Sequence, residues 1–195
     1  MTTNRCHGIP TKIVFLLEEE SAQELLNSLL PRILERKIPF QCIPHQGCGD
    51  LHANIPQILD NWKDARFVIL RDQDNKDCAR LKSLLLQMCA RKRRTDTIVC
   101  IACRELEAWY WGDLEAVAKA YPEFNPGKVE NKERFRHPDK IVKPSKALQE
   151  NLPEFDKLTA AQDIGPHMKL EKNSSPSFQY FVAAVRKVAR DMNNV

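Results

Sequence analysis

Acidic residues stand directly after three short apolar runs. Glu18, Glu19 and Glu20 follow Lys12 to Leu17. Asp72 and Asp74 follow Arg66 to Leu70. Glu105 and Glu107 follow Thr97 to Ala102. Apolar runs of this length, bounded by turn residues, read as buried strands. In an open parallel sheet the functional crevice lies beyond the carboxyl ends of the strands, so these sequence-distant acids are expected to converge. Asp72 and Asp74 are two apart, and extended backbone carried through both would aim them the same way. Like charges held close repel unless a cation lies between them. Oxygen ligands of this kind suit Mg²⁺ or Mn²⁺, in one-metal or two-metal form. The matching chemistry is polarisation of a phosphoryl oxygen and activation of water. Acids after strands can also merely cap the next helix. Asp77 is read that way, and one of Glu19 and Glu20 is read as solvated.

The elements that must position these acids follow from periodicity. Ser21 with Glu24 three residues on has the pattern of a capping box. It opens a helix through Leu25, Leu26, Leu29, Leu30, Ile33 and Leu34, with Pro31 as a candidate kink. Phe40 to Ile43 reads as a second strand, and Gly47 and Gly49 as a loop. Leu51 to Trp62 reads as a helix with Pro56 as a local fault. Asp77 to Arg91 reads as another, with Leu81, Leu84, Leu85 and Met88 on one side. Leu106 to Tyr121 reads as one long helix. Four strand–helix alternations predict an α/β fold, with a mainly parallel sheet of about four strands and helices on both faces. After Pro122 the chain turns polar, basic and proline-containing, with a modest helix at Ser145 to Gln149. Ser177 to Met192 then closes as an amphipathic helix, apolar at Phe178, Phe181, Val182, Val185 and Val188. The expected organisation is an α/β core over 1–121 and a helical extension over 122–195 packed on it as one structural unit.

Composition bounds the partners. Of 195 residues, 43% are hydrophobic and 29% charged, the profile of an ordinary globular chain. The apolar runs are too short to span a bilayer, and the segment before Pro10 has no signal-type stretch. The expectation is a cytoplasmic protein with no membrane partner. The net charge of +4 permits nucleic acid without demanding it. Arg91 to Arg94 reads as a solvated helix end. Basic residues also run from Lys128 to Lys146. His137, Lys140, Lys143, Lys146, Lys157 and His167 could meet a phosphate or form a solvated surface, and both readings stand. Seven cysteines without a signal peptide suggest reduced thiols. Cys42, His45, Cys48 and His52 have a spacing that could hold zinc. Cys100 and Cys103 fall in a strand and read as small buried hydrophobes. Trp109 and Trp111 could stack on bases, but at helix spacing they read as core. There is no glycine-rich phosphate loop and no Gly-x-Ser-x-Gly elbow, so neither nucleotide hydrolysis by this chain nor serine hydrolysis has support.

Two of the runs resemble motifs of Toprim (topoisomerase–primase) domains. Val14-Phe-Leu-Leu-Glu18-Glu-Glu-Ser21 resembles the first motif, and Phe67-Val-Ile-Leu-Arg-Asp72-Gln-Asp74 resembles the DxD motif. More closely, nearly the whole chain is similar to a bacterial family of Toprim-like proteins. That similarity is carried by His45 to Leu51, Leu70 to Cys78, Ala102 to Trp109, and Gly112-Asp113. The resemblance implies that Glu18, Asp72 and Asp74 hold Mg²⁺ or Mn²⁺. It gives Glu107, two residues before Trp109, a second-metal or structural role, with Glu105 as a secondary candidate. It implies a nuclease, with DNA placed before RNA as substrate, working beside an ATPase partner in bacterial defence; a homodimer is left open. Two positions depart from the pattern. Glu19 stands where the first motif has glycine, and Cys48 where the related family carries lysine. The alternative is a non-catalytic module that binds a metal or a partner, which Glu19 favours. Nucleotidyl transfer would need a nucleoside triphosphate site that is not found.

Overall fold

A computed structural model describes residues 10–35 and 37–194. The segment before Pro10, read above as lacking a signal-type stretch, and the thiol of Cys6 lie outside the described residues. Four strands form one parallel sheet: β1 (Lys12–Leu17), β2 (Phe40–Pro44), β3 (Ala65–Asp72) and β4 (Ile98–Ala102), in the order β2-β1-β3-β4. The helices α1 (Glu20–Ile33), α2 (Cys48–Asn61) and α3 (Cys78–Arg91) connect them. A parallel sheet covered on both faces must bury every residue of its central strands. Alternation therefore divides β1 between two cores. Ile13, Phe15 and Leu17 pack with α1 and the C-terminal extension. Val14 and Leu16 pack with α2 and α3.

The strand assignments hold, and several helix boundaries shift. Helix α1 begins at Glu20, so Ser21 already lies in its first turn. The Ser21 hydroxyl donates to Glu19 Oε1 at 3.0 Å instead of capping the backbone, and the capping-box expectation fails. Pro31 falls in the last turn, where its missing N–H removes one bond near the end. Helix α2 starts three residues early, at Cys48, because Gly47 turns the chain at a φ of 89°, open to glycine at little steric cost. Asp77 caps α3 as expected, accepting from the Arg80 N–H at 2.8 Å. That helix buries Leu81, Leu85 and Cys89, while Leu84 is 47% exposed.

The expected helix over Leu106 to Tyr121 is two pieces, α4 (Ala108–Trp111) and α5 (Leu114–Ala120). The break comes from the C-terminal extension. The Asp113 carboxylate accepts from the Ala116 N–H at 3.2 Å and from the Lys169 N–H at 2.6 Å. The Ser174 N–H donates to the Gly112 carbonyl at 2.8 Å. A Cβ on Gly112 would lie 2.0 Å from Asn173 Oδ1, so only glycine admits this approach.

The extension carries three 3₁₀ turns, then α6 (Pro144–Gln149), α7 (Lys157–Ile164) and α8 (Pro176–Asn193), with a further 3₁₀ turn between α7 and α8. Helix α7 was not legible in the sequence; it packs on α1. Helix α8 buries the expected face. Its Phe181 ring meets Phe15 at 6.4 Å and Trp109 at 5.2 Å. Trp111 stacks on Phe135 at 4.2 Å. One hydrophobic cluster thus runs from β1 through α8. Among the described residues, no helix is long and apolar enough to cross a membrane. If the extension and core are one unit, Phe181→Ala lowers the unfolding free energy by about 3–5 kcal/mol. Tryptophan fluorescence and far-ultraviolet circular dichroism should then report one coincident urea midpoint; separate midpoints would mean two units.

Candidate functional site

The backbone ladder continues past the strand ends and fixes the loops that carry the acids. The His45 N–H donates to the Leu17 carbonyl at 3.0 Å, and the Gly47 N–H to the Glu18 carbonyl at 2.9 Å. On the other side, the Gln73 N–H donates to Ala102 and the Asp74 N–H to Arg104, both at 2.8 Å. Side-chain alternation then distributes the acids over two faces of this carboxyl edge.

On the α2/α3 face, Glu18 extends the row of Val14 and Leu16. Beside it Arg71 extends the row of Phe67 and Ile69 and is fully buried. Arg71 Nε lies 3.3 Å from Glu18 Oε2, and one terminal nitrogen lies 3.6 Å from Asp74 Oδ2. Asp74 has a φ of 56°. Aspartate tolerates this left-handed conformation better than most residues. The strand therefore ends at Asp72, and the turn brings Asp74 back over Arg71. The expectation that Asp72 and Asp74 aim the same way by strand alternation is corrected by this turn.

On the opposite face, Asp72 extends the row of Val68 and Leu70. It meets Glu107, which is 1% exposed and comes from the loop after β4. Lys157, the first residue of α7, reaches into the same place. Its Nζ lies 3.3 Å from Glu107 Oε1 and 3.1 Å from Glu19 Oε1. The two faces are joined at one point, where the Asp72 N–H donates to Glu18 Oε2 at 3.2 Å.

Three carboxyls are pushed toward their neutral forms. Burial raises Asp72 well above its ordinary range, and the negative charges of Glu107 and Glu18 add to this, with Lys157 opposing. Burial raises Glu107, again against Lys157. Burial raises Glu18, against the pull of Arg71 and the Asp72 N–H. For Lys157, burial would favour the neutral amine, but the Glu107 and Glu19 carboxylates outweigh it and hold the ammonium.

A divalent cation suits this chemistry. The donors are hard oxygens, the carboxyls repel one another, and Glu107 Oε2 is buried with no hydrogen-bond partner. Among the described residues, no three acids, histidines or cysteines stand close enough to form a ready ligand set. Glu18 and Asp74 instead pair with Arg71, and Glu107 with Lys157. A metal would have to displace those contacts.

Glu105 is engaged elsewhere. Its Oε2 accepts from the Ser145 N–H at 2.8 Å and so anchors α6, and it acts on Glu107 only as a nearby like charge. The residues weighed for zinc do not gather among the described residues. His45 Nδ1 bonds the Leu17 carbonyl at 2.9 Å, and burial pushes the Cys42 thiol up to about 12. Cys100 and Cys103 are likewise raised by burial, to about 12 and about 11. Trp109 and Trp111 are buried, with their Nε1 atoms on Ser177 Oγ at 2.9 Å and the Pro144 carbonyl at 3.1 Å. The basic run at Arg91 to Arg94 is partly structural. Arg94 is buried against Phe67 and donates to the Leu59 and Trp62 carbonyls. Lys92 pairs with Asp60.

Sequence reasoning did not single out Arg71; its signal was a cation that follows the apolar run Phe67 to Leu70 directly. Glu19, read as one of two candidates for a solvated position, instead shares Lys157 with Glu107. An open cleft of about 770 Å³ lies beside this cluster toward β2, lined by Glu19, Glu20, Asp50, Asp156 and Lys157 among others.

Two stability experiments test this electrostatic account. Asp72 has a raised carboxyl, so its folded form is favoured at low pH and progressively disfavoured as pH rises above the ordinary 3.8. Metal-free Asp72→Asn should therefore melt above wild type at about pH 7, by roughly 2–4 °C for each kcal/mol relieved. The gain should vanish below pH 3.8. Lys157→Gln leaves Glu107 without its cation and should lower stability by about 1–3 kcal/mol at neutral pH. That loss should recover as pH falls and Glu107 protonates, and Glu107→Gln should restore part of it. Unchanged melting curves for both variants would remove the charge cluster as an explanation of this edge.

No curated protein matches the chain. Two solved structures of the C-terminal region of the Xanthomonas campestris pv. campestris OLD protein, one phased with iodine and one with mercury, are similar in fold. The first has a TM-score of 0.51 at 11% identity, covering 96% of this chain and 100% of that one. The second has a TM-score of 0.51 at 13% identity, covering 95% and 99%. Residues 17–186 match the family described as Domain of unknown function (DUF4276), and the chain belongs to that family.

Proposed function

We propose that this chain is a divalent-metal-dependent nuclease of the Toprim type, acting on DNA in preference to RNA. One observation carries the reading. Asp72 and Glu107, from different strand ends, are both pushed toward neutrality by burial, the Glu107 charge raising Asp72 further, and Glu107 Oε2 has no partner. Such arrangements destabilise a fold and are concentrated at functional sites. Glu18, Asp72, Asp74 and Glu107 are the residues that would hold Mg²⁺ or Mn²⁺. The bound metal would supply polarisation of a phosphoryl oxygen and a nucleophilic water. The chain's own groups do the rest. Arg71, locked inside the sheet, keeps Glu18 and Asp74 on one side of the edge. Lys157 holds Glu107 and Glu19 on the other side, at 3.3 and 3.1 Å. The fold likeness to the OLD C-terminal region supports the reading by analogy alone. An ATPase partner and a role in bacterial defence rest on the motif resemblance.

A second reading has its own observation. Lys157 already pairs with both Glu19 and Glu107. A site partly balanced by the chain's own cation could serve as a non-catalytic binding module.

Thermal unfolding titrated with Mg²⁺ and Mn²⁺ separates the two. A ligand bound only by the folded state stabilises it by about 2.7 kcal/mol at a hundredfold excess over Kd. Mn²⁺ should raise the melting temperature of wild type and not of Asp72→Asn/Asp74→Asn. Mn²⁺-dependent cleavage of plasmid DNA should then fall by about 100-fold or more in Asp72→Asn. No response to about millimolar metal would give the module reading the lead.

A further inference from the structure

The carboxyl edge is electrically lopsided. On the β2 side, the cleft beside the acids is lined by Glu19, Glu20, Asp50 and Asp156 against Lys157. A polyanion is repelled from that side. On the β4 side lies a second cleft, of about 690 Å³, lined by His137, Lys140, Lys143, Lys146 and the Arg134–Glu150 pair, with Glu133 adding one acid. Among the described residues, Lys140, Lys143 and Lys146 form no ion pair, as is true of most exposed lysines here, but these three line one cleft. The ammonium groups are exposed, and their charge is not cancelled within the fold.

The backbone beneath these lysines is tied to the segment that carries the acids. The Ser145 N–H, between Lys143 and Lys146, donates to Glu105 Oε2 at 2.8 Å. Glu105 stands two residues before Glu107. Trp111 Nε1 donates to the Pro144 carbonyl at 3.1 Å. Asp139, next to Lys140, accepts from the Ser177 N–H at 2.7 Å and the Ser175 hydroxyl at 2.5 Å. Ser177 Oγ in turn accepts from the Cys103 N–H at 3.3 Å, just past β4. The lysines therefore sit on a rigid mount beside β4, while their side chains stay in water. Cations fixed this way can replace the counterions of a phosphate backbone.

We propose that the cleft of His137, Lys140, Lys143 and Lys146 is a nucleic-acid docking surface, and that the polynucleotide reaches the carboxylate cluster from the β4 side. This rests on the nuclease reading for the identity of the partner. The partner is identified by its repeated phosphate charge; the cleft offers no base-reading geometry. Binding should be tolerant of sequence and steeply dependent on salt.

The test is binding without cleavage. Fluorescence anisotropy of labelled DNA oligonucleotides, single-stranded and duplex, is followed in EDTA over a salt series. The full chain is compared with Lys140→Glu/Lys143→Glu/Lys146→Glu. An equal charge change on exposed lysines elsewhere, Lys63→Glu/Lys119→Glu/Lys187→Glu, is the control. The cleft variant should lose about tenfold or more in affinity, and its log–log salt slope should shrink by about 0.7–0.9 for each phosphate contact removed. The control should lose less than about threefold, the effect of net charge alone. A second measurement needs no mutation: acetylation of wild-type lysines, read by mass spectrometry, should be suppressed by DNA at Lys140, Lys143 and Lys146 and not at Lys119 or Lys187. Equal losses in both variants, or equal protection everywhere, would mean diffuse attraction and overturn the docking surface. So would absence of DNA binding by wild type. Because EDTA removes any metal step, binding at this cleft without cleavage on adding Mn²⁺ would sink the nuclease reading and leave the surface intact.

Discussion

Carboxylates crowded at a desolvated edge repel, and the rest of this structure is arranged around holding them there. Glu18, Asp72 and Glu107 are all raised by burial, and Asp72 is raised further by the other two. Charges taken out of water are costly unless paired. The pairing comes from two unrelated places. Arg71 rises from within β3, fully buried, and takes Glu18 and Asp74. Lys157 arrives from the C-terminal extension and takes Glu19 and Glu107. Only part of the charge is balanced, because Glu107 Oε2 stays without a partner.

This gives the extension a purpose beyond covering apolar surface. Lys157 is the first residue of α7, and α7 is held against α1. Arg32 on α1 reinforces the junction by donating to the Gly165 and Met168 carbonyls at 2.8 and 2.7 Å. Helix α8 anchors the other side through Phe181 on Phe15 and Trp109. Asp139 then links the start of α8 to the segment after β4 through Ser177. The hydrophobic core sets distances, and the polar network sets angles. Both are needed to hold a charged side chain within reach of chemistry.

Of the four non-glycine residues with positive φ among the described residues, two lie at the same edge, and the others, Glu35 and Arg93, follow α1 and α3. Asp74 and Arg104 both have positive φ, at 56° and 64°, and they face each other across the bond from the Asp74 N–H to the Arg104 carbonyl. Such conformations persist where surrounding structure over-determines them, commonly beside functional sites. Here the turn separates Asp74 from Asp72 and places the two on different faces of the sheet. The acidic cleft lies toward β2 and the basic one is mounted beside β4, so a phosphate chain meets attraction from one direction and repulsion from the other.

The sequence by itself determined the strands, the parallel α/β architecture, the apolar face of α8 and the set of acids at the carboxyl edge. These depend on periodicity over a few residues, which is local information. Only the tertiary structure decided which charges are partners. Glu105 stood behind Glu107 as a secondary candidate, and a backbone N–H forty residues away claims it. Lys157 was open between a phosphate-facing cation and a solvated one, and the fold sets it on Glu19 and Glu107 instead. The helix expected over Leu106 to Tyr121 breaks because the loop around Asn173 packs onto Gly112. Arg71 reads as a lone charge until the fold sets it beside Glu18. Each outcome turns on contacts between residues far apart in the chain. A carboxylate's state is set by what surrounds it in space, and no local pattern encodes that.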